Sequence, residues 1–143
     1  MQKSKGFTII ELLVVVAIIA VLTGIVLVNV TSYINKGKDA AIKGNLSTVL
    51  TNSAVYYDAS GSYISPSDFC TTSNFTVPET AILSANGGDA GTGSRCIAIA
   101  SATCACATLK VTTGHVYCVD STGYKADTVN TCALACNAAG KCV

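Results

Sequence analysis

Lys5-Gly6-Phe7-Thr8-Ile9-Ile10-Glu11-Leu12-Leu13-Val14-Val15-Val16 opens an apolar run of membrane length that holds one carboxylate near its start. From Phe7 to Val30, 19 of 24 residues are apolar, and Leu12 to Leu22 is uninterrupted. At about 1.5 Å per residue, a helix of this length spans the roughly 30 Å hydrocarbon core of a bilayer. A charged side chain at bilayer depth costs about 2.5–3.5 kcal/mol even on lenient insertion scales. Glu11 therefore predicts a waiting partner; the plainer alternative is an interfacial residue that snorkels from an ordinary anchor.

The residues ahead of the run, Met1 to Gly6, carry Lys3 and Lys5 and no acid. The positive-inside bias then keeps the N-terminus cytoplasmic and sends everything after Val30 across the membrane. A secretory signal would have a shorter apolar region closed by a small-x-small cleavage site, which is missing here. The candidate processing point lies before the run, at Gly6-Phe7, where glycine leaves a protease unobstructed.

Lys-Gly followed by Phe-Thr-Ile-Ile-Glu-Leu-Leu-Val-Val resembles the prepilin signature of bacterial type IV pilins and type II secretion pseudopilins. The resemblance is close over Lys3 to Val30 and looser through the helix to Ser60 and the Tyr56 to Tyr63 stretch behind it. It implies cleavage after Gly6 by a prepilin peptidase, N-methylation of the new amine on Phe7, and a role for Glu11 in assembly. The expected organisation is a leader over 1–6, a transmembrane and assembly helix over 7–30, an amphipathic continuation over 31–60, and an exported head over 61–143.

Removal of the leader would create an amine at Phe7, four residues before Glu11. In a packed bundle of apolar helices the Glu11 carboxylate of one subunit can pair with the Phe7 amine of its neighbour. In low dielectric the pair attracts while either charge alone is penalised, so a wrong register leaves a buried unpaired charge.

Beyond Val30 the apolar density falls but helical spacing persists at Ile34, Ile42, Leu46, Val49 or Leu50, Ala54 and Tyr57. Thr48, Thr51, Asn52 and Ser53, with Lys36, Lys38, Asp39 and Lys43, are expected to cover the remaining faces. A helix from Thr8 to about Ala59 would be roughly 78 Å long. Gly24, Gly37 and Gly44 are its weak points, each costing about 1 kcal/mol relative to alanine. Both prolines, Pro66 and Pro78, lie downstream.

After Ser60 the pattern changes to turns and short strands. Gly61, Ser65-Pro66-Ser67-Asp68 and Asn86 to Gly93 read as loops. Cys96 to Ala100, Ala107 to Thr112 and His115 to Asp120 read as strands, with Thr113-Gly114 a tight turn between the last two. The expected fold class is α+β: a long N-terminal helix packed on a small antiparallel sheet of three or four strands. A cysteine-rich tail, Tyr124 to Val143, is expected to be irregular with a helical turn at Cys132 to Ala138.

All eight cysteines, Cys70, Cys96, Cys104, Cys106, Cys118, Cys132, Cys136 and Cys142, fall in the portion predicted to be exported. An even number outside the cytoplasm predicts a disulfide framework, at about 2–4 kcal/mol per bridge, for a head too small to rely on its apolar core. The count leaves the connectivity open. Cys104 and Cys106 point to one side if extended, and are expected to take separate partners. Metal-thiolate binding is the rival, but Cys104-Ala105-Cys106 and Cys132-x3-Cys136 are not the Cys-x2-Cys pair of zinc knuckles.

Nine Lys and Arg stand against eight Asp and Glu; without Lys3 and Lys5, seven stand against eight. So balanced a surface has no electrostatic footprint for nucleic acid. His115 is the one imidazole, and no nucleophile, base and orienting group assemble around it, so no catalytic residue and no cofactor is expected. Asp120 and Asp127, flanking Ser121 to Ala126, are thin candidates for calcium, since two carboxylates make a poor ligand set. Asn45-Leu-Ser47 and Asn74-Phe-Thr76 match the N-glycosylation triplet, a pattern frequent by chance.

The expectation is a structural, non-enzymatic subunit of a type IV pilus-like filament, or fimbrium. Its partners would be the prepilin peptidase and N-methyltransferase, the pilus or secretion assembly machinery, the membrane before assembly, and copies of itself in a helical filament. It would pass from a single-pass inner or cytoplasmic membrane state to an extracellular filament or periplasmic pseudopilus. A pseudopilin of a secretion or competence system is the alternative, and a monomeric membrane-anchored binding module the more distant one.

Overall fold

Helix α1 runs from Ile9 to Ser60 and passes Gly24, Gly37 and Gly44 without a break. The computed structural model describes residues 6–87, 93–111 and 114–143, apart from the Val28 side chain. The leader lysines Lys3 and Lys5, most of the loop between Asn86 and Gly93, and Thr113 of the expected turn lie outside the described residues. The chain divides into two compact units, 1–34 and 35–143, each with its own architecture.

In the first unit α1 stands alone. Its 18-residue window of mean hydropathy 3.0 is long and apolar enough to cross a membrane, and none of that window is buried within the chain. The polar side chains here bond to their own helix. Thr23 Oγ1 donates to Ile19 O at 2.7 Å and Asn29 Nδ2 to Ile25 O at 3.2 Å, so neither enters an apolar medium unsatisfied.

The second unit packs the later part of α1 on a four-stranded antiparallel sheet: β1 (Ser94–Ile99), β2 (Ala102–Thr108), β3 (Val116–Asp120) and β4 (Lys125–Thr128), in spatial order β1-β2-β3-β4. Strand alternation gives the sheet two different faces. Toward α1, Ala105, Ala107 and Val119 meet Ile42, Leu46 and Val49, with Tyr63, Phe69, Phe75 and Ile82 closing the core. On the opposite face Cys104, Cys106 and Cys118 pack with Val116, Cys132, Ala135 and Cys136.

The buried stripe of α1 in this unit is Asp39, Ile42, Leu46, Val49 and Ser53, at steps of three and four, with Tyr56 packed beside it. Ala54 and Tyr57, expected on the stripe, are exposed, and Ile34 is exposed in the first unit. Ser53 can face inward because its hydroxyl donates to Leu50 O at 2.8 Å. Asp39, expected in solvent, is only 9% exposed because its carboxylate accepts the amides of Lys110 and Val111.

That last contact explains the strand that ends early. The expected strand Ala107 to Thr112 is instead Ala102–Thr108, since the Lys110 and Val111 amides are committed to Asp39 rather than to a neighbouring strand. Leu109 N donates to His115 O, so the β2–β3 connection is wider than a two-residue turn. Ala100 and Ser101 form the tight turn between β1 and β2, where Ile99 pairs with Ala102.

Helix α2 (Ser73–Asn86) was not among the expected elements, and Pro78 sits inside it. Proline has no amide proton for the carbonyl four residues before it. That carbonyl, on Asn74, accepts Asn52 Nδ2 of α1 at 2.8 Å instead. Phe75, Pro78, Ile82 and Asn86 form its buried side, and Gly87 caps it by donating toward Leu83 O and Ser84 O. The tail is also more regular than expected. It contains β4, and its helical turn, α3, is limited to Cys132–Ala135 because Cys136 leaves to bridge with Cys142 along the backbone.

Candidate functional site

The start of α1 is built by a sequence pattern, Thr8-Ile9-Ile10-Glu11, whose two ends satisfy each other. Glu11 N donates to Thr8 Oγ1 at 3.3 Å, while Thr8 N and Thr8 Oγ1 each donate to Glu11 Oε2 at 2.8 Å. This is a reciprocal capping box, which satisfies amides that a helix N-terminus otherwise leaves unpaired. A carboxylate in the first turn also faces the positive end of the helix dipole. Both Thr8 bonds fall on one oxygen, and Oε1 has no partner among the described residues.

Ahead of the cap the backbone is non-helical at Gly6, Phe7 and Thr8. Phe7 is 76% exposed, and a side chain built on Gly6 would meet nothing within 4 Å inside the chain. Behind the cap, Leu12, Leu13, Ile18, Ile19, Leu22 and Ile25 all present more than half of their surface. The unit therefore combines an exposed Phe7 next to a glycine with open space around it, a carboxylate with one oxygen unpartnered among the described residues, and an exposed apolar helix. Thr8 is the member that the sequence reading passed over, although Thr-x-x-Glu before an apolar run is itself the capping signal.

The other candidates lie in the second unit. Four disulfides join Cys70 to Cys96, Cys104 to Cys136, Cys106 to Cys132 and Cys118 to Cys142, and no cysteine is free. The last three lie on the face of the sheet away from α1 and tie the tail to β2 and β3. With the thiols oxidised in this way there is no thiolate cluster for a metal, and no group of three His, Cys, Asp or Glu gathers among the described residues.

Asp120 and Asp127 are not brought together. Asp127 pairs across the sheet with Tyr117 and shares its face, whereas Asp120 alternates to the opposite one with Cys118. The Asp120 carboxylate accepts Thr122 N at 2.9 Å, the Thr122 hydroxyl, and Cys142 N at 3.0 Å. Burial pushes this carboxyl up, and those bonds outweigh it and hold it below the usual aspartate range.

Asp127 receives Lys43 Nζ of α1 at 3.1 Å and faces His115 Nδ1 at 2.9 Å. Here too burial raises the carboxyl, while the bonds to His115 and Lys43 bring it below its ordinary value. His115 is thus the third member of a helix-to-sheet clasp. Asn45 Nδ2 bonds to Ala41 O inside α1 and Asn74 lies in the first turn of α2, so both glycosylation triplets are helical.

Residues 1–27 match the family model of the prokaryotic N-terminal methylation motif. The chain therefore carries the segment characteristic of type IV pilins and pseudopilins. No curated protein and no solved structure matches it.

Proposed function

We propose that this chain, whose N-terminal methylation motif marks a pilin-like or pseudopilin-like protein, is the structural subunit of a type IV pilus-like filament. The observation that carries the reading is the apolar helix that follows the motif, none of whose most hydrophobic window is covered by its own chain. Such a surface is stable in lipid before assembly and among copies of itself afterwards. Tight van der Waals packing between helices, with Gly24 allowing close approach, supplies the association.

A prepilin peptidase cuts after Gly6 and the new Phe7 amine is methylated. That amine docks against Glu11 of a neighbouring subunit and sets axial register. Thr8 keeps Glu11 Oε2 satisfied within the subunit and leaves Oε1 to accept the incoming amine. Holding the carboxylate at membrane depth before assembly costs less than it would bare, because the capping box already satisfies one of its oxygens. The head-to-tail contacts generated by one repeated step do not close, which permits indefinite growth. The role is structural rather than enzymatic.

Immunogold microscopy with an antibody to the exported head tests this. Label along filaments in sheared surface fractions, with a subunit mass beginning at methylated Phe7, is the expected result. Label confined to the envelope would replace the pilus with a pseudopilus, and a mature chain still beginning at Met1 would overturn the processing step.

A further inference from the structure

In the second unit a cleft of about 510 Å³ opens between β1 and the entry to α3. Its volume falls within the roughly 300–1,000 Å³ of small-molecule sites. Arg95, the one arginine of the chain, lines it from β1, and Asn130 and Thr131 line it from the segment after β4. Cys132, Ala133 and Gly114 supply apolar wall.

The polar groups of this cleft fall into two classes. Ser94 and Thr108 are committed elsewhere: Ser94 Oγ donates to Glu79 Oε1 at 2.9 Å, and the Thr108 hydroxyl accepts from Asn86. The side chains of Arg95, Asn130 and Thr131 have no hydrogen-bond or ionic partner among the described residues. Alternation along β1 sends Arg95 to the cystine face, where its pairing partner is Cys106, and Ser94 with Glu79 to the other. Among the described residues, no carboxylate side chain lines the cleft to neutralise the guanidinium.

We propose that this cleft binds a carboxylate-bearing sugar, of the uronic acid class, with Arg95 pairing the carboxylate and Asn130 and Thr131 pairing ring hydroxyls. A guanidinium matches a planar carboxylate with two parallel hydrogen bonds. One cation balances the single charge of a carboxylate and leaves a multiply charged phosphate under-neutralised. An amide and a hydroxyl offer both donors and acceptors, which is what vicinal hydroxyls require. The apolar wall of Cys132 and Ala133 suits the C–H face of a pyranose ring. None of this depends on how the N-terminal helix assembles.

The test is a ligand-observed NMR titration of the full chain in detergent micelles, with D-glucuronate as probe and D-glucose, acetate and inorganic phosphate as comparisons. Saturable binding of glucuronate, weaker binding of glucose and acetate, and a loss of about tenfold or more in Arg95→Gln are expected, consistent with loss of a charge-assisted bidentate pair. Asn130→Ala should weaken glucuronate severalfold while leaving acetate unchanged. Arg95 is exposed and outside both cores, so Arg95→Gln should retain its disulfides and circular dichroism. Absence of saturable glucuronate binding, equal affinity in Arg95→Gln, or phosphate and acetate binding as tightly as glucuronate would overturn the proposal.

Discussion

Asn52 Nδ2 donates to the Asn74 carbonyl at 2.8 Å, in place of the amide that Pro78 cannot provide. One side chain on α1 thus repairs the hydrogen-bond ladder of α2 while tying the two helices together. Asn52→Ala leaves a half-buried carbonyl unpaired and should cost about 1–3 kcal/mol, read as a lower thermal midpoint of the head. In a Pro78→Ala background the carbonyl regains a backbone donor, so the same substitution should cost clearly less. Equal costs in the two backgrounds would show that the contact is incidental.

Gly140 turns the tail back onto the sheet with φ of +69°, and a Cβ there would lie 2.9 Å from the Ala102 carbonyl carbon and oxygen. Gly140→Ala meets both a left-handed backbone and a backbone collision at the first residue of β2. It should destabilise the head by more than the roughly 1–2 kcal/mol of left-handed strain alone. Gly123→Ala, also at positive φ but with open space around it, should show only that smaller cost. Thermal unfolding of the two variants side by side measures the difference, and a Gly140→Ala protein as stable as Gly123→Ala would refute the collision.

Both Asp120 and Asp127 have folded-state pKa values below the ordinary aspartate value of 3.8. A depressed carboxyl contributes stability that is present above its unfolded pKa and is lost as pH falls through the folded one. The thermal midpoint should therefore be level from pH 7 to about 5 and decline below about 4. Asp120→Asn should lower the midpoint at neutral pH and flatten the acid decline, because it removes a carboxylate that collects Thr122 and Cys142 donors. Unchanged stability between pH 5 and 2 in the parent would contradict the assignment.

The membrane-length helix and the disulfide-bonded head were legible because each rests on a signal that tertiary context does not override: 19 apolar residues in 24, and an even set of eight cysteines. The misses share a cause. α2 was left unassigned, and the bond that Pro78 removes at Asn74 is supplied by Asn52, 22 residues before Asn74 in sequence. Lys125-Ala126-Asp127-Thr128 is a poor strand former on its own, and β4 exists because it pairs with β3 and because Lys43 reaches Asp127. The end of β2 was misplaced because Asp39, 71 residues upstream of Lys110, captures the amides of the next turn. At the helix start, by contrast, Thr8 was within reach of a local rule.

The central claim is that Glu11 sets register between subunits rather than merely capping a helix, and Glu11→Val read beside Glu11→Gln separates the two roles. Removing the carboxylate makes the helix easier to place in lipid, weakens the first turn by about 0.3–1.5 kcal/mol through loss of the capping partner, and leaves the Phe7 amine without its acceptor. Glu11→Gln keeps an acceptor for Thr8 but carries no charge for the amine. The decisive measurement is the number of filaments per cell in Glu11→Val and Glu11→Gln strains whose membranes contain processed subunit. The account predicts processed monomer in the membrane and no surface filaments in either strain. Filaments of normal number and length in both would show that Glu11 serves the helix cap alone.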